Sequence, residues 1–168
     1  MRFERAALSA RHLWSSPFVR WQGSLADISS LDLAVAVTRD AMAARAVDAA
    51  RIESLVLGST IPQMSSFYAV PWIAAQLGLP EVSGPLVSQA CATSVACLAS
   101  AAFSHAKGSG RTTLVLTTDR TSNGPLLVYP RTQSMGGSPL TEDWVLDSFA
   151  ADPATGHSMV VTADNVAR

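Results

Sequence analysis

Cys91 is the residue of this sequence whose type and setting best suit nucleophilic chemistry. It stands where an apolar run with strand character, PLVSQA (85–90), passes into small helix-forming residues, CATSVACLASAAFSHAK (91–107). The first turn of a helix has unpaired N–H groups and the positive end of the helix dipole, which stabilise a thiolate and can hold an oxyanion. Small neighbours leave room for a carbonyl group, so the position suits covalent catalysis. A lone cysteine also often only packs in a core, and its position alone leaves both interpretations open.

Cys97, the second of the two cysteines, has a different setting. On the same helix it lies about 9 Å further along the axis and about 240° around it from Cys91. This separation exceeds the reach of a disulfide and turns the side chain to another face, so we predict core packing. Two cysteines without neighbouring histidines predict no metal site, and the three histidines lie far apart.

The elements that must position Cys91 alternate between helices and strands. Apolar residues at helical spacing, behind possible N-caps at Asp27 and Ser30, predict a helix that ends near residue 48. LVLGS (55–59) is typical of a buried strand, residues 65–77 of a second helix closed by Gly78, and TTLVLTTD (112–119) of a further strand. This order predicts an α/β fold with a mainly parallel sheet and helices on both faces.

The remainder of the chain has another character. Residues 120–140 contain several glycines and prolines and predict an irregular excursion. Two short helices are expected at about 141–149 and 154–168. The sequence stops at Arg168 within a helical pattern that has no cap, so we expect it to be a portion of a longer protein.

Composition and charge exclude several classes of partner. The net charge is −1 and no Lys/Arg cluster exists, which argues against binding to nucleic acid or to anionic membranes. The longest apolar run, near 95–103, is far shorter than the ~20 residues that span a bilayer, and the N-terminus has no apolar signal region. We expect a cytoplasmic protein. Of the residues, 48% are hydrophobic and only 15% are charged. This balance fits either an Ala-rich α/β protein or a protein whose surface packs against a partner or a missing segment.

Five segments resemble the thiolase family. LVSQACATSVACLASAA (86–102) is similar to its nucleophile motif N-x-x-C-A-S-G and the small-residue helix that follows. The others, in the family's order, are SPFVRWQGSLAD (16–27), RIESLVLGSTIPQ (51–63), DRTSNGP (119–125) and SMVVTADNVA (158–167). The resemblance implies a thiolase-like N-terminal α/β half-domain over residues 1–119 and the start of an irregular, helical loop domain over residues 120–168.

The same resemblance implies site residues. Cys91 matches the family's acyl-accepting cysteine, and Met159 matches a methionine of the substrate loop. The histidine that normally precedes this methionine is displaced, because Ser158 stands in its place and His157 one position earlier. We therefore expect His157 and Met159 to bind substrate. Ser88 replaces the motif asparagine. These departures fit either altered acyl specificity or a branch that has lost thiolysis.

The function that the resemblance implies is acyl transfer between CoA thioesters through an acyl-cysteine intermediate. CoA and acyl-CoA would be substrates, with no metal or organic cofactor, and the complete protein would be a homodimer or homotetramer. The family's N-E-A-F, G-H-P and C-x-G-G-G motifs, which carry its remaining catalytic residues, do not occur in this sequence, so we expect residues 1–168 alone to be inactive and to self-associate. Two alternatives remain: a non-catalytic thiolase-like subunit of a complex, and a relative of the β-ketoacyl synthases.

Overall fold

A three-stranded parallel sheet with helices on both faces forms the core of the protein. The computed structural model describes residues 4, 6–105, 112–131 and 136–168. Its helices and strands, in chain order, are α1 (Ser30–Ala44), β1 (Ile52–Gly58), α2 (Ala69–Gln76), β2 (Leu86–Val87), α3 (Thr93–His105), β3 (Thr112–Thr117), β4 (Leu126–Tyr129), β5 (Leu140–Asp143), α4 (Leu146–Ala150) and α5 (Met159–Ala167).

Strand β1 lies in the middle of the sheet, between β2 and β3. It pairs in parallel with both neighbours, with Leu57 opposite Leu86 on one side and opposite Leu116 on the other. The carboxyl ends of all three strands therefore meet at one edge, and the loops that follow them lie next to one another. The predicted parallel sheet is confirmed.

Alternating side chains of β1 build a core on each face of the sheet. Leu55 and Leu57 are fully buried in the cluster that includes Ile73 of α2 and Leu31 of α1. Val56 points the other way and packs with Cys97 of α3. Helices thus cover both faces, as the sequence predicts.

The start of α1 and the end of α2 follow from local chemistry. Ser29 caps α1, since its side chain accepts a hydrogen bond from the N–H of Leu31, so the N-caps expected at Asp27 and Ser30 were wrong by one or two residues. Gly78 adopts a φ of 76° directly after α2, as expected for a glycine that closes a helix.

The region after residue 119 differs most from expectation. An antiparallel hairpin, β4 paired with β5, occupies part of the segment predicted to be irregular. The helix predicted at 141–149 is wrong over its first half, where β5 continues to Asp143, and α4 begins only at Leu146. The predicted last helix is present as α5. Residues 132–135, within the predicted excursion, lie outside the described residues.

Helix α3 is buried on one stripe only. Thr93, Cys97 and Ala101 face the sheet, whereas Val95 is 68% exposed. The outer face of α3 is therefore open to solvent. The helix-forming segment runs to residue 107 in the sequence, and residues 106–111 lie outside the described residues.

Hydrogen bonds cross the predicted domain boundary at residue 119. The Arg120 guanidinium donates to the carbonyl of Ile28 at 2.9 Å, and the N–H of Gln22 donates to the Ser122 hydroxyl at 2.8 Å. The division into residues 1–119 and 120–168 stays a prediction. Within the described ranges, every helix is too short or too polar to cross a membrane.

Candidate active site

Cys91 lies in a single 3-10 turn, Ala90–Ala92, between the end of β2 and the first residue of α3. Its side chain is exposed. In the described part of the chain, the backbone N–H of Cys91 has no hydrogen-bond acceptor. The prediction that Cys91 opens a helix at the carboxyl end of a strand is confirmed, and an unpaired N–H group accompanies its sulfur.

The side chain of Thr93 holds this turn through two hydrogen bonds. Its hydroxyl accepts a hydrogen bond from the N–H of Gln89 at 2.8 Å and donates one to the carbonyl of Ala90 at 2.7 Å. Thr93 itself is buried. Ala90 has a φ of 45°, a conformation that costs a residue with a side chain on the order of 1–3 kcal/mol. The turn that presents Cys91 is thus strained and braced.

Gly58, the last residue of β1, allows α3 to approach the sheet closely. A Cβ at this position would lie 2.7 Å from Sγ of Cys97 and 2.8 Å from Cγ2 of Thr93. Both distances are shorter than real Cβ atoms adopt. The missing side chain therefore fixes how near the first turn of α3, and with it Cys91, lies to the carboxyl edge of the sheet.

Cys97 is completely buried between α3 and β1. Burial raises the pKa of its thiol, which disfavours the nucleophilic thiolate. Both cysteines are free thiols. The prediction that Cys97 packs in the core is confirmed, and Cys91 is the exposed thiol of the pair.

An open cavity of about 210 Å³ lies at the carboxyl edge of the sheet. The loop after β1 forms one wall, and β2 with the residues that follow it forms another. Its lining includes Ser59, Thr60, Ile61, Leu86, Ser88 and Trp144. Ser88 precedes Cys91 by three residues. The cavity therefore borders the segment that carries the exposed thiol.

The carboxylate of Asp119 organises the loop after β1. It accepts hydrogen bonds from the Ser59 hydroxyl at 2.9 Å, from the N–H and hydroxyl of Thr60 at 2.8 and 2.7 Å, and from the N–H of Ile61 at 2.9 Å. The Trp144 indole N–H donates to the carbonyl of Thr60 at 3.0 Å. No part for these two side chains was predicted from the sequence. The available signal was an acidic residue directly after a buried strand.

His157 lies in a tight loop before α5. Its carbonyl accepts a hydrogen bond from the N–H of Asp152 at 2.8 Å, and its own N–H donates to the Thr155 hydroxyl at 3.2 Å. The Asp152 carboxylate accepts bonds from the N–H groups of Thr155 and Ala154, which lower the pKa of Asp152 below its ordinary value. Backbone hydrogen bonds thus fix the position of His157.

Met159 begins α5, and Ser158 is the N-cap of this helix, accepting a hydrogen bond from the N–H of Val161. Neither His157 nor Met159 lines the cavity. Among the described residues, no hydrogen bond joins His157 to Cys91. Their role in substrate binding stays a prediction. The described residues also contain no group of three or more His, Cys, Asp or Glu side chains that could hold a metal ion.

Comparisons with known proteins point to one family. Residues 13–168 match the sequence profile of the thiolase N-terminal domain. The fold is similar to that of acetyl-CoA acetyltransferase from Syntrophomonas wolfei (26% identity, TM-score 0.74), with 90% of this chain and 39% of that chain covered. It is also similar to human mitochondrial 3-ketoacyl-CoA thiolase in complex with CoA (19% identity, TM-score 0.76), with the same two coverages.

A third similar structure is the Acat5 thiolase from Ascaris suum in complex with coenzyme A (19% identity, TM-score 0.73), with 87% of this chain and 38% of that chain covered. No curated protein sequence matches the chain. The chain thus spans less than two fifths of the length of these solved structures.

Proposed function

The chain belongs to the thiolase family, and on that premise we propose that it carries the acyl-accepting cysteine of an acyltransferase that acts on CoA thioesters. Cys91 is that residue, and CoA enters as a substrate. The proposed chemistry requires neither a metal nor an organic cofactor. We further propose that the complete protein acts in the cytoplasm as a homodimer or homotetramer.

In the proposed reaction the Cys91 thiolate attacks the 3-oxo carbonyl of a 3-oxoacyl-CoA, which releases the carbanion of acetyl-CoA, or the thioester carbonyl of acetyl-CoA, which releases the CoA thiolate. A bond forms between Sγ and the carbonyl carbon, and the carbonyl electrons move onto oxygen. The unpaired N–H of Cys91 is available to donate to that oxygen. The oxyanion then collapses, the leaving thiolate or carbanion takes a proton, and the acyl group remains on sulfur. The acyl group passes to CoA, or to the carbanion of acetyl-CoA in the condensing direction.

One observation carries the proposal: the exposed thiol is the one at the helix start, and the buried thiol is not. Helix N-termini favour negative charge, whereas burial in an apolar core opposes it. The Cys91 position therefore suits an attacking sulfur and a developing oxyanion. The solved thiolases to which the chain is similar, two of them in complex with CoA, support the choice of thioester.

The rest of the machinery is not in this sequence. A histidine base for the nucleophile and a second cysteine for proton transfer at the α-carbon would have to come from the part of the protein that matches the remainder of the solved thiolases. General base assistance contributes about 10²- to 10⁴-fold in rate. Residues 1–168 alone are therefore expected to acylate slowly and not to turn over.

A non-catalytic subunit is the second candidate, because Ser88 and Ser158 occupy positions where the family motif has Asn and His. Ser158 serves as the N-cap of α5 and so has a structural use. A non-catalytic subunit of a complex would keep residues that stabilise its fold, such as this N-cap, but its cysteine would not be acylated. This candidate predicts no acyl adduct on Cys91 under any condition.

The test is peptide mapping by mass spectrometry after incubation with acetyl-CoA and an acid quench. We expect an acetyl adduct on Cys91 in the wild-type chain, the same adduct in Cys97→Ala, and none in Cys91→Ser. Equal loss of label in both variants would contradict the assignment, as would a label that persists in Cys91→Ser. A folding check by circular dichroism accompanies each variant.

A further inference from the structure

The side chain of Asn123 joins two segments that are far apart in the sequence. Its Nδ2 donates to the carbonyl of Ala26 and to the carboxylate of Asp27, both at 3.2 Å. Its Oδ1 accepts a hydrogen bond from Nε2 of Gln22 at 3.1 Å. We call residues 22–28 together with residues 120–123 the clasp. Two of these three hydrogen bonds require an amide at position 123, because a carboxylate has no N–H to donate.

Asn123 is followed by glycine, and an Asn–Gly pair is where spontaneous deamidation is least hindered. Glycine has no side chain to keep its backbone nitrogen away from the side-chain carbonyl of the preceding residue. Among the described residues, the N–H of Gly124 has no hydrogen-bond acceptor. Asn123 is exposed and has a φ of 51°. The attacking nitrogen and the amide that it would attack are therefore both available to water and to one another.

We propose that Asn123 is a site of deamidation, and that the modified residue can no longer close the clasp. In the first step the Gly124 nitrogen forms a bond to Cγ of Asn123 as the Cγ–Nδ2 bond breaks. The proton of the Gly124 nitrogen ends on the ammonia that leaves. Water then opens the cyclic imide at one of its two carbonyl groups, which gives aspartate or isoaspartate at position 123.

The clasp controls how fast this reaction proceeds. Cγ of Asn123 must turn toward the Gly124 nitrogen, so the three hydrogen bonds of the side chain have to break first. These bonds are 3.1–3.2 Å long and lie at or near the surface, which makes local opening easy compared with unfolding of the core. The folded chain therefore slows deamidation without preventing it.

The change is one-way because the product meets two acceptors. Deamidation replaces the Nδ2 donor by oxygen, and the new carboxylate faces the carboxylate of Asp27 and the carbonyl of Ala26. Like charges repel at contact distance, so closure is opposed. Isoaspartate also lengthens the backbone by one methylene group and displaces the carbonyl that accepts from Arg120. Residues 22–28 are then released from the segment after β3.

The first experiment measures deamidation in the full 168-residue chain at mildly alkaline pH, by peptide mapping that separates aspartate from isoaspartate. Asn165, the other asparagine of the sequence, is the internal control, since the branched Val166 follows it. We expect Asn123 to react faster than Asn165 in the folded chain. Its rate should rise at least about tenfold in urea, because one hydrogen bond changes an opening equilibrium about two- to tenfold. Equal rates at the two asparagines, or equal rates at Asn123 with and without urea, would overturn the proposal.

The second experiment weakens the clasp by one hydrogen bond. Gln22→Met keeps the length of the side chain and removes the donor to Oδ1 of Asn123. Deamidation of the folded chain should become about two- to tenfold faster, and its rate in urea should not change. Gln76→Met is the matched control, because Gln76 is an exposed glutamine at the end of α2. The clasp does not control the reaction if Gln22→Met and Gln76→Met deamidate at the same rate.

The third experiment tests whether the product keeps the clasp open. Asn123→Asp reproduces the aspartate product, and hydrogen exchange at the N–H of Gln22, which donates to the Ser122 hydroxyl at 2.8 Å, reports closure. We expect exchange at Gln22 to become at least about tenfold faster. Adding Asp27→Asn should restore most of the protection, because the new amide can donate to the carboxylate at position 123. Wild-type exchange in Asn123→Asp, or a loss that Asp27→Asn does not reverse, would refute the one-way release.

Discussion

Thr93 holds the Cys91 turn through one hydroxyl group, so its contribution can be isolated by substitution. Thr93→Val keeps the side-chain volume but removes the acceptor of the Gln89 N–H, while the carbonyl of Ala90 still accepts from the backbone N–H of residue 93. We expect a loss of about 1–3 kcal/mol in the free energy of unfolding by urea, together with faster hydrogen exchange at Gln89. Thr93→Ser, which keeps the hydroxyl, should preserve the protection of Gln89. Equal exchange at Gln89 in both variants would contradict the bracing role.

The loop that fixes His157 should depend on pH through Asp152. Hydrogen bonds from Thr155 and Ala154 depress the folded-state pKa of this carboxyl, so its stabilising effect is present above the ordinary value of about 3.9 and is lost as pH falls through the depressed value. In an NMR titration, the amide resonances of Ala154 and Thr155 should stay constant from pH 7 to 5 and shift only below pH 4. In Asp152→Ala they should not follow this titration. A midpoint above the ordinary value would contradict the assignment.

At this same scale, the sequence predicted part of the site and missed part. The position of Cys91 at the start of a helix was predictable because the signal is local: a strand gives way to a helix within a few residues. The cavity was not, since its wall depends on Asp119 meeting Thr60, 59 residues away, and on Trp144 meeting Thr60, 84 residues away. Hydrogen bonds between loops leave no periodic pattern in a sequence.

Between elements, the contact of α3 with β1 sets the position of the nucleophile. Gly58→Ala would place a methyl group within 3 Å of Cys97, Thr93 and Thr117. We expect this overpacking to cost about 1–3 kcal/mol in urea unfolding, with a change in the alkylation rate of Cys91 because α3 must move away.

A double substitution provides the control for Gly58. Cys97→Ala removes the sulfur nearest to the added methyl, so Gly58→Ala should cost less in that background. The two changes should therefore be coupled by at least about 0.5 kcal/mol. Simple additivity would show that the new methyl does not meet Cys97, and that the distance between α3 and the sheet is set elsewhere.

Helices and strands whose own residues show a regular apolar spacing were predicted well. Strands that form only by pairing with another segment were not. α1, β1 and β3 follow from apolar spacing within each segment. β4 and β5 are four residues each, have no buried residue, and exist because they pair with each other. β2 shrinks to two residues from the six expected, because only Leu86 and Val87 extend the ladder with β1.

At the scale of the whole molecule, the outer face of α3 presents apolar side chains to solvent. Val95, Leu98 and Phe103 are exposed apolar residues on one helix. Contiguous apolar patches promote association, so we expect this chain alone to elute above its monomer mass in size-exclusion chromatography with light scattering. Val95→Glu with Leu98→Glu should shift it toward the monomer without lowering the free energy of unfolding.

Ser104→Glu provides the control for charge, because Ser104 is an exposed polar residue of the same helix. It should leave the mass in solution unchanged. A monomeric wild-type chain, or an equal effect of Ser104→Glu, would show that this face does not drive association.

The hydrogen bonds that join distant loops can form only after both partners have been translated on the ribosome. The Trp144 indole reaches back across 84 residues to Thr60, and Arg120 across 92 to Ile28. At about 5–20 residues per second, the loop after β1 waits roughly 4–17 seconds before the indole that fastens it has been translated. The thiol of Cys91 is thus translated before Asp119 and Trp144, the two side chains that hold the loop after β1. A nascent chain of this protein therefore passes through an interval in which the loop after β1 lacks both of the side chains that hold it.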